Sequence, residues 1–166
     1  MVTSHKLVEL NQLVKVAREL QRTGRKVAFT NGCFDILHPG HACYLQEARS
    51  LGDILIVALN SDQSVRQLKG PGRPVVGENE RAFVLAALQS VDYIVIFETL
   101  RATPVIEAVK PDIYVKGGDY TLETLDSEEW AALEACGAQI ALLPAVEGFS
   151  TTKLLALGMH SIKHLL

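Results

Sequence analysis

The feature that most constrains this chain is a pair of strand-length apolar segments with a helix-patterned segment between them. The apolar segments are residues 27–30 and 53–59, and the segment with helical spacing is 42–51. A continuous apolar run such as 53–59 is typical of a strand that is covered on both faces in a parallel sheet. Strand, helix and strand in this order predict a βαβ unit with a right-handed crossover.

The same alternation continues along the rest of the sequence. Helices are predicted at residues 7–20, 64–68, 78–89, 104–109 and 127–135 and after Ser150, and further strands at 93–97, 113–115 and 139–143. In the helix 78–89, Phe83, Leu85, Ala86 and Leu88 are predicted to face the core. The predicted fold is α/β: Rossmann-like and doubly wound, with a mostly parallel five-stranded sheet and helices on both faces.

Length and composition set the broad class of the protein. A chain of 166 residues with 48% hydrophobic residues is expected to form one domain, 1–166, with a helix within 1–24 packed on it. A net charge of −3 gives no general attraction to nucleic acid, so nucleic-acid binding is disfavoured. No apolar run has the length of a membrane span or the form of a signal peptide, so no membrane association and a cytoplasmic location are expected.

The cysteines indicate a reducing compartment. Cys33, Cys43 and Cys136 are odd in number and have no Cys-x-x-Cys spacing, which disfavours both a disulfide scaffold and a zinc finger. Cys43 and Cys136 are interpreted as small buried hydrophobic residues.

The connection between the first strand and the first helix, residues 30–41, has the features of an anion site. The first N–H groups of a helix have no internal partner, and Pro39 suits the first helical position because it has no N–H to satisfy. His38 and His41 are three residues apart, so both imidazoles can face one point and stabilise charge on a phosphoryl group. In the alternative interpretation His38 caps the helix and His41 is a partly buried polar residue.

Residues 29–41, Phe-Thr-Asn-Gly-Cys-Phe-Asp-Ile-Leu-His-Pro-Gly-His, resemble the His-x-Gly-His signature of a family of nucleotidyltransferases. These enzymes join a nucleoside triphosphate to a small phosphorylated alcohol or sugar. The resemblance extends over nearly the whole chain, through Lys153, and is closest to the heptose-phosphate adenylyltransferase branch. It implies transfer of AMP from ATP to a heptose 1-phosphate, giving ADP-heptose and pyrophosphate.

The resemblance also implies the site residues. The predicted catalytic residues are His38, His41 and Lys69. Predicted nucleotide contacts are Thr30, Asn31, Gly32, Cys33, Phe34, Asp35, Gly40, Asn60, Arg81, Ser150, Thr151 and Thr152. Lys116, Gly118 and Asp119, in the loop after the fourth strand, are predicted near the sugar phosphate or the nucleoside. Arg66 and Arg73 are left open as further phosphate ligands, and solvated surface charge is the alternative for each of Lys69, Arg73 and Arg81.

The C-terminal segment is predicted to form a second anion site at a helix start, like the histidine loop. Gly148-Phe149-Ser150-Thr151-Thr152 resembles the Gly-x-Ser-Thr-Thr motif of the same family, at a helix start where hydroxyl and N–H groups can hold phosphate oxygens. The chain departs from glycerol-phosphate relatives at 144–147, where those have an Arg-Thr pair. A serine-nucleophile mechanism is disfavoured because no Gly-x-Ser-x-Gly elbow is present.

The implied reaction sets the expected cofactor and partners. The attacking phosphate oxygen is already ionised at neutral pH, so positioning and charge stabilisation are expected to provide the catalysis. The predicted cofactor is Mg²⁺, bound mainly through the triphosphate. The expected partners are ATP, a sugar 1-phosphate, a separate heptose kinase upstream and a second copy in a homodimer. The kinase is expected because, in many bacteria, this activity forms the C-terminal half of a chain that begins with a sugar kinase.

Three other functions compete with this interpretation. A cytidylyltransferase for a polyol phosphate such as glycerol 3-phosphate would share the same motifs. A non-catalytic nucleotide-binding module would bind ATP without releasing pyrophosphate. A dinucleotide-binding dehydrogenase is disfavoured because the first loop lacks Gly-x-Gly-x-x-Gly.

Overall fold

The computed structural model describes residues 5–118, 120–146, 148 and 151. In chain order its elements are α1 (Leu10–Arg22), β1 (Val27–Gly32), α2 (Pro39–Ser50), β2 (Ile54–Asn60), α3 (Asp62–Lys69), α4 (Glu78–Ala87), β3 (Tyr93–Phe97), α5 (Thr103–Val109), β4 (Ile113–Gly117), a 3₁₀ turn (Leu122–Thr124), α6 (Ser127–Cys136) and β5 (Gln139–Leu143). No helix in these described ranges is both long enough and apolar enough to span a membrane.

The five strands form one sheet in the order β3-β2-β1-β4-β5, and every neighbouring pair is parallel. The chain therefore moves outward from β1 to β3 on one side and from β4 to β5 on the other. The point between β1 and β4 is the topological switch point of the sheet, and in open α/β sheets ligands bind outside the carboxyl ends of the strands at such a point. The prediction of a five-stranded, parallel, doubly wound sheet is confirmed.

The central strand β2 shows why the sheet is covered on both faces. All seven of its residues are buried. Ile54, Ile56 and Ala58 belong to one hydrophobic cluster, and Leu55, Val57 and Leu59 belong to the other. This alternation follows the two-residue period of a strand. Burying one such Leu or Ile side chain contributes about 1.5–3 kcal/mol, so the strand favours burial on both sides.

Helices cover each face of the sheet. Leu13 of α1, Ile106 of α5 and Leu133 of α6 lie in one cluster, whereas Leu45 of α2 and Leu85 of α4 lie in the other. The arrangement leaves the carboxyl ends of β1 and β4 open between the start of α2 and the start of α6.

Two side chains differ from the predictions in their burial. Phe83 was predicted to face the core, and this is wrong, because its side chain is 48% exposed. The buried positions of α4 are Arg81, Ala82, Leu85 and Ala86, so the helix turns Phe83 outward. Cys43 was predicted to be buried and is exposed, because it lies on the outer side of α2.

The N-terminal helix also begins later than its pattern suggested. Leu7 forms a parallel β-bridge with Ile94, and the Val8 N–H donates to the Ile94 carbonyl at 3.0 Å. Leu7 is therefore part of the sheet edge, and its match to helical spacing is coincidental.

Candidate active site

Two adjoining cavities open at the carboxyl ends of β1 and β4. The first, here named the imidazole lobe, has a volume of about 260 Å³. The second, the basic lobe, has a volume of about 400 Å³. Residues that line only the imidazole lobe are His38, Gly40, Tyr44, Lys116, Gly117, Gly118 and 144–146. Residues that line only the basic lobe are Asp35, Asn60, Leu68, Lys69, Arg73, Leu100, Arg101, Glu129 and Thr151.

The two lobes share one wall, here named the junction. It consists of Asn31, Gly32, Cys33, Phe34, His41 and Tyr120. All but the last two come directly from the end of β1 and the turn that follows it. The predicted loop 30–41 therefore lies at the centre of the cleft, with a cavity on each side of it.

The start of α2 carries the two histidines into the cleft. Pro39 is the first residue of the helix, and the His38 side chain makes no capping hydrogen bond to the described helix backbone. The His38 carbonyl instead accepts the His41 N–H at 2.9 Å. The geometry thus disfavours the alternative in which the His38 side chain is a helix cap. Because the helix N-terminus carries partial positive charge, an anion is stabilised there.

The imidazoles of His38 and His41 stack on each other, with ring centroids 3.8 Å apart and an angle of 26° between the rings. Burial lowers the pKa of both groups, and together with the nearby His38 it lowers the pKa of His41 to about 4. Both rings are therefore neutral at neutral pH in the absence of a ligand. An approaching phosphate would favour their protonated forms, because an adjacent negative charge stabilises an imidazolium.

A strained turn holds this arrangement in place. Phe34 has a positive φ of 43°, which is rare for a residue with a large side chain. Its ring is buried and lies 5.4 Å from the His41 ring. A side chain at Gly32 would place its Cβ 3.1 Å from the Phe34 ring. The turn therefore depends on glycine at position 32 to pack Phe34 beneath His41.

Asp35 ties the next loop to this turn. Its buried carboxylate accepts the N–H groups of Val75 at 2.8 Å and Val76 at 3.1 Å, and it pairs with the Arg73 guanidinium. Burial acts to raise the pKa of Asp35, but the hydrogen bonds from Val76, Arg73 and Val75 outweigh it and hold the pKa below its usual value. In this structure the Asp35 carboxylate holds the 73–76 segment over the basic lobe.

Arg81 has a similar role on the other side of the turn. Its side chain is fully buried, pairs with Asp62 at 2.8 Å and donates to the carbonyls of Cys33 and Val76. Arg81 is not among the described residues that line either lobe. The structure therefore does not bring it into the cleft, and its predicted contact with the triphosphate stays a prediction.

The other predicted residues border the basic lobe, support the wall of the imidazole lobe or lie outside the described residues. Lys69 is exposed and borders the basic lobe together with Thr151 and the buried Asn60, whose amide donates to Ser64 Oγ at 2.9 Å. Thr30 is buried and shares a 2.7 Å hydrogen bond with the Tyr44 hydroxyl, so it supports the wall of the imidazole lobe. Ser150, Thr152 and Asp119 lie outside the described residues.

A polar cluster that the sequence did not reveal lies beneath the junction. Lys116 Nζ donates to Asn31 Oδ1 at 3.0 Å and to the Tyr114 hydroxyl at 3.1 Å. The Glu129 carboxylate accepts from the Asn31 amide at 3.0 Å and from the Tyr114 hydroxyl at 3.0 Å. Alternate residues of a strand lie on the same face, so the sequence could have predicted that Tyr114 and Lys116 are neighbours. Glu129 has no local signal, because it reaches the cluster only through the docking of α6.

The family comparison agrees with this geometry. Residues 29–156 match the family described as Cytidylyltransferase-like, which covers most of the chain and begins within β1. The chain belongs to this family. Its membership confirms the predicted resemblance and the prediction that the protein is a nucleotidyltransferase.

Relatives within this family are similar over nearly all of the chain. The bifunctional protein HldE of Koribacter versatilis is 46% identical over 157 residues, which is 95% of this chain and 32% of the relative. The HldE of Citrifermentans bemidjiense is 53% identical over 140 residues, covering 84% of this chain and 28% of the relative. The chain therefore spans about a third of the length of these relatives.

Solved structures share the fold. The lipopolysaccharide core biosynthesis protein from Thermoplasma volcanium superposes with a TM-score of 0.61 at 29% identity, covering 74% of this chain and 98% of that one. A pantoate-beta-alanine ligase from Francisella tularensis gives a TM-score of 0.53 at 14% identity, over 83% of this chain and 66% of that one. At that identity the second likeness shows the fold alone.

Members of this family typically use a divalent metal. Within the described ranges, no three His, Cys, Asp or Glu side chains are placed to hold a metal ion. Magnesium keeps several water ligands and binds phosphate oxygens readily, so it needs few protein ligands. The described residues of the cleft would therefore fit a metal that is held mainly by phosphate oxygens.

Proposed function

We propose that this protein transfers AMP from ATP to a heptose 1-phosphate, giving ADP-heptose and pyrophosphate. The observation that carries the proposal is the stacked pair of His38 and His41 at a helix start, on the edge of two adjoining cavities. A transfer between two phosphorylated substrates needs a place where both can meet, and the junction provides it. The choice of heptose rests on the identity of 46–53% to the HldE proteins.

The lining of each lobe suggests where the parts of the substrates lie. Tyr44, Gly117, Pro144 and Val146 give the imidazole lobe flat, weakly polar walls that suit a nucleoside. Lys69, Arg73 and Arg101 border the basic lobe; Arg73 and Arg101 are paired with Asp35 and Asp126, so Lys69 would contribute most to drawing phosphate groups toward it. The reacting phosphorus would then lie at the junction beside His41, with the acceptor phosphate within reach of Lys116.

The chain's own residues would act by positioning and charge. His41 Nδ1 is buried, has no hydrogen-bond partner among the described residues and can serve a phosphate oxygen. As negative charge grows on the transferred group, donors that are already in place stabilise it more than water does. A magnesium ion bound through the triphosphate would neutralise part of its charge. No protein base is required, because the attacking phosphate oxygen is already ionised.

Several further expectations are part of the proposal. Asp35 and Arg81 would serve the nucleotide indirectly, by holding the loops that surround it. The second phosphate-binding helix start at 150–152, the contact from Asp119, the cytoplasmic location, the upstream kinase and the homodimer stay predictions.

A pyrophosphate-release assay with four substrate pairs tests the proposal. ATP and CTP are each combined with D-glycero-β-D-manno-heptose 1-phosphate and with glycerol 3-phosphate. The expected result is the highest kcat/KM with ATP and the heptose phosphate. A higher value with CTP and glycerol 3-phosphate would assign the protein to the polyol-phosphate cytidylyltransferases. ATP binding without pyrophosphate release from any pair would favour the non-catalytic module.

A further inference from the structure

The polar cluster beneath the junction joins three elements of the fold. Asn31 comes from β1, Tyr114 and Lys116 from β4, and Glu129 from α6. Its members lie on both sides of the cleft, since Lys116 borders the imidazole lobe, Glu129 borders the basic lobe and Asn31 borders both. The cluster therefore lies directly under the place where the two substrates would meet.

The Glu129 carboxylate is held by hydrogen bonds at both oxygens. Oε1 accepts from the Asn31 amide at 3.0 Å and from the Ala102 N–H at 2.9 Å. Oε2 lies 3.0 Å from the Tyr114 hydroxyl, whose one proton it shares with Asn31 Oδ1 at 2.8 Å, and it lies 3.8 Å from Lys116 Nζ. Glu129 is only 4% exposed. Its position is thus fixed from the backbone of 102, from β1 and from β4 at once.

Lys116 needs such a partner. Its side chain is 11% exposed, and burial acts to lower the pKa of its ammonium group, whereas Glu129 acts to raise it. Arg101 and Asp126 also influence Lys116, but they pair with each other at 2.7 Å, so their effects largely cancel. Burial raises the pKa values of Cys33, Tyr114 and Tyr120, so these groups are neutral near pH 7. Among the described residues, Glu129 is therefore the main source of compensating negative charge.

One N–H of Lys116 remains for a ligand. Described residues accept two of its three N–H groups, through Asn31 Oδ1 and the Tyr114 hydroxyl. Glu129, at 3.8 Å, contributes charge without a hydrogen bond. The ammonium also lies 5.0 Å from the centre of the Tyr120 ring, which borders both lobes. A purely structural ion pair would not need to border the cavity in this way.

We propose that Glu129 is a positioning residue, which keeps Lys116 charged and, through Asn31 and Tyr114, directs it at the phosphates that react at the junction. The role in turnover rests on the proposed function. The role as counter-charge to Lys116 does not, so the two can be tested separately.

The first experiment compares Glu129→Gln with wild type in the pyrophosphate-release assay. Gln has the same size and can still accept from Asn31 and Ala102, and the Tyr114 hydroxyl can donate to Asn31 Oδ1 at 2.8 Å instead, so the change removes mainly the negative charge. Charged hydrogen bonds to a reacting group are worth enough to lower kcat about 10-fold or more, with the KM of each substrate within about threefold of wild type. Glu128→Gln is the matched control, since Glu128 is exposed on the same helix. It should leave both constants unchanged.

The second experiment needs no substrate. The Nζ resonance of Lys116 is followed against pH in ¹⁵N-lysine-labelled protein and assigned with Lys116→Met. In Glu129→Gln the pKa of Lys116 should be lower than in wild type, and in Glu128→Gln it should be unchanged. An identical titration in wild type and Glu129→Gln would overturn the counter-charge role, whatever the activity.

A double variant keeps the test decisive if Glu129→Gln folds poorly. Lys116→Met/Glu129→Gln removes both charges, so no uncompensated charge is left buried. Because Glu129 is proposed to act through Lys116, the double variant should lose no more kcat than Lys116→Met alone. A further loss of 10-fold, or a rise in both KM values at constant kcat, would overturn the positioning role. If wild type releases no pyrophosphate but the titration shifts, the proposed function fails and the counter-charge role stands.

Discussion

The two walls of the cleft are held in different ways. The wall formed by residues 33–35 and 73–81 is held by two ion pairs, each with one buried partner: buried Arg81 pairs with Asp62, and buried Asp35 pairs with Arg73. The wall formed by the start of α2 instead presents two imidazoles that stack on each other. The charged groups of the first wall are occupied by the protein, whereas His41 has a ring nitrogen without a described partner. A charged side chain close to the cleft is therefore not necessarily a ligand contact.

The largest effect is expected from Arg81→Met. This change leaves Asp62 and the carbonyls of Cys33 and Val76 without their donor, so the free energy of unfolding should fall by about 3 kcal/mol. Urea denaturation measures it. The control is Arg66→Met, because Arg66 is exposed on α3. If Arg81→Met has the same free energy of unfolding as wild type but binds ATP more weakly, Arg81 contacts the ligand instead of stabilising the fold.

His41→Ala should show the opposite behaviour. The fold should persist, and turnover should fall about 10²-fold or more, because a donor aimed at developing phosphoryl charge is typically worth that much. The assay is pyrophosphate release, with circular dichroism as the check on folding. His5→Ala, at an exposed histidine, is the matched control. Wild-type turnover in folded His41→Ala would remove the histidine pair from the mechanism.

Lys69→Ala tests the one predicted cation that is exposed at the basic lobe. A lysine that meets the triphosphate in both ground and transition states contributes to binding and to turnover. The apparent KM for ATP should rise and kcat should fall, giving about a 10-fold loss in kcat/KM. Lys15→Ala, at an exposed position of α1, should have no effect. Equal kinetics in the two variants would make Lys69 an ordinary surface residue.

The smallest effect is expected in the dependence of the free energy of unfolding on pH. The pKa of His41 is about 4 in the folded protein and near 6.5 when the chain is unfolded, so between these values the unfolded state binds more protons. Stability should therefore fall as the pH is lowered from 7 toward 4. His41→Gln should reduce this slope, as measured by urea denaturation at several pH values. A slope that is the same in both proteins would show that the imidazole of His41 is not held neutral by the fold.

The sequence predicted those parts of the molecule that depend on neighbouring residues. The strands follow from short apolar runs, and the start of α2 follows from Pro39 and the flanking histidines, all within one loop. Glu129 could not be found in this way, because it is 98 positions from Asn31 and its own helix gives no reason for a buried carboxylate. Nor could the sequence separate Arg81 from Lys69, since burial alone decides which of the two cations is used by the protein.

Gly117 lies at the end of β4 and lines the imidazole lobe. A Cβ atom at this position would lie 2.5 Å from the Tyr44 ring. The Tyr44 hydroxyl is tied to Thr30 Oγ1 at 2.7 Å and to the Val115 carbonyl at 2.9 Å, so the ring cannot move aside without breaking both bonds. Tyr44 belongs to the same helix as the histidine pair. Because any residue other than glycine would place a carbon atom against the Tyr44 ring, the absence of a side chain at Gly117 sets the width of the imidazole lobe and the position of the helix start that carries the histidines.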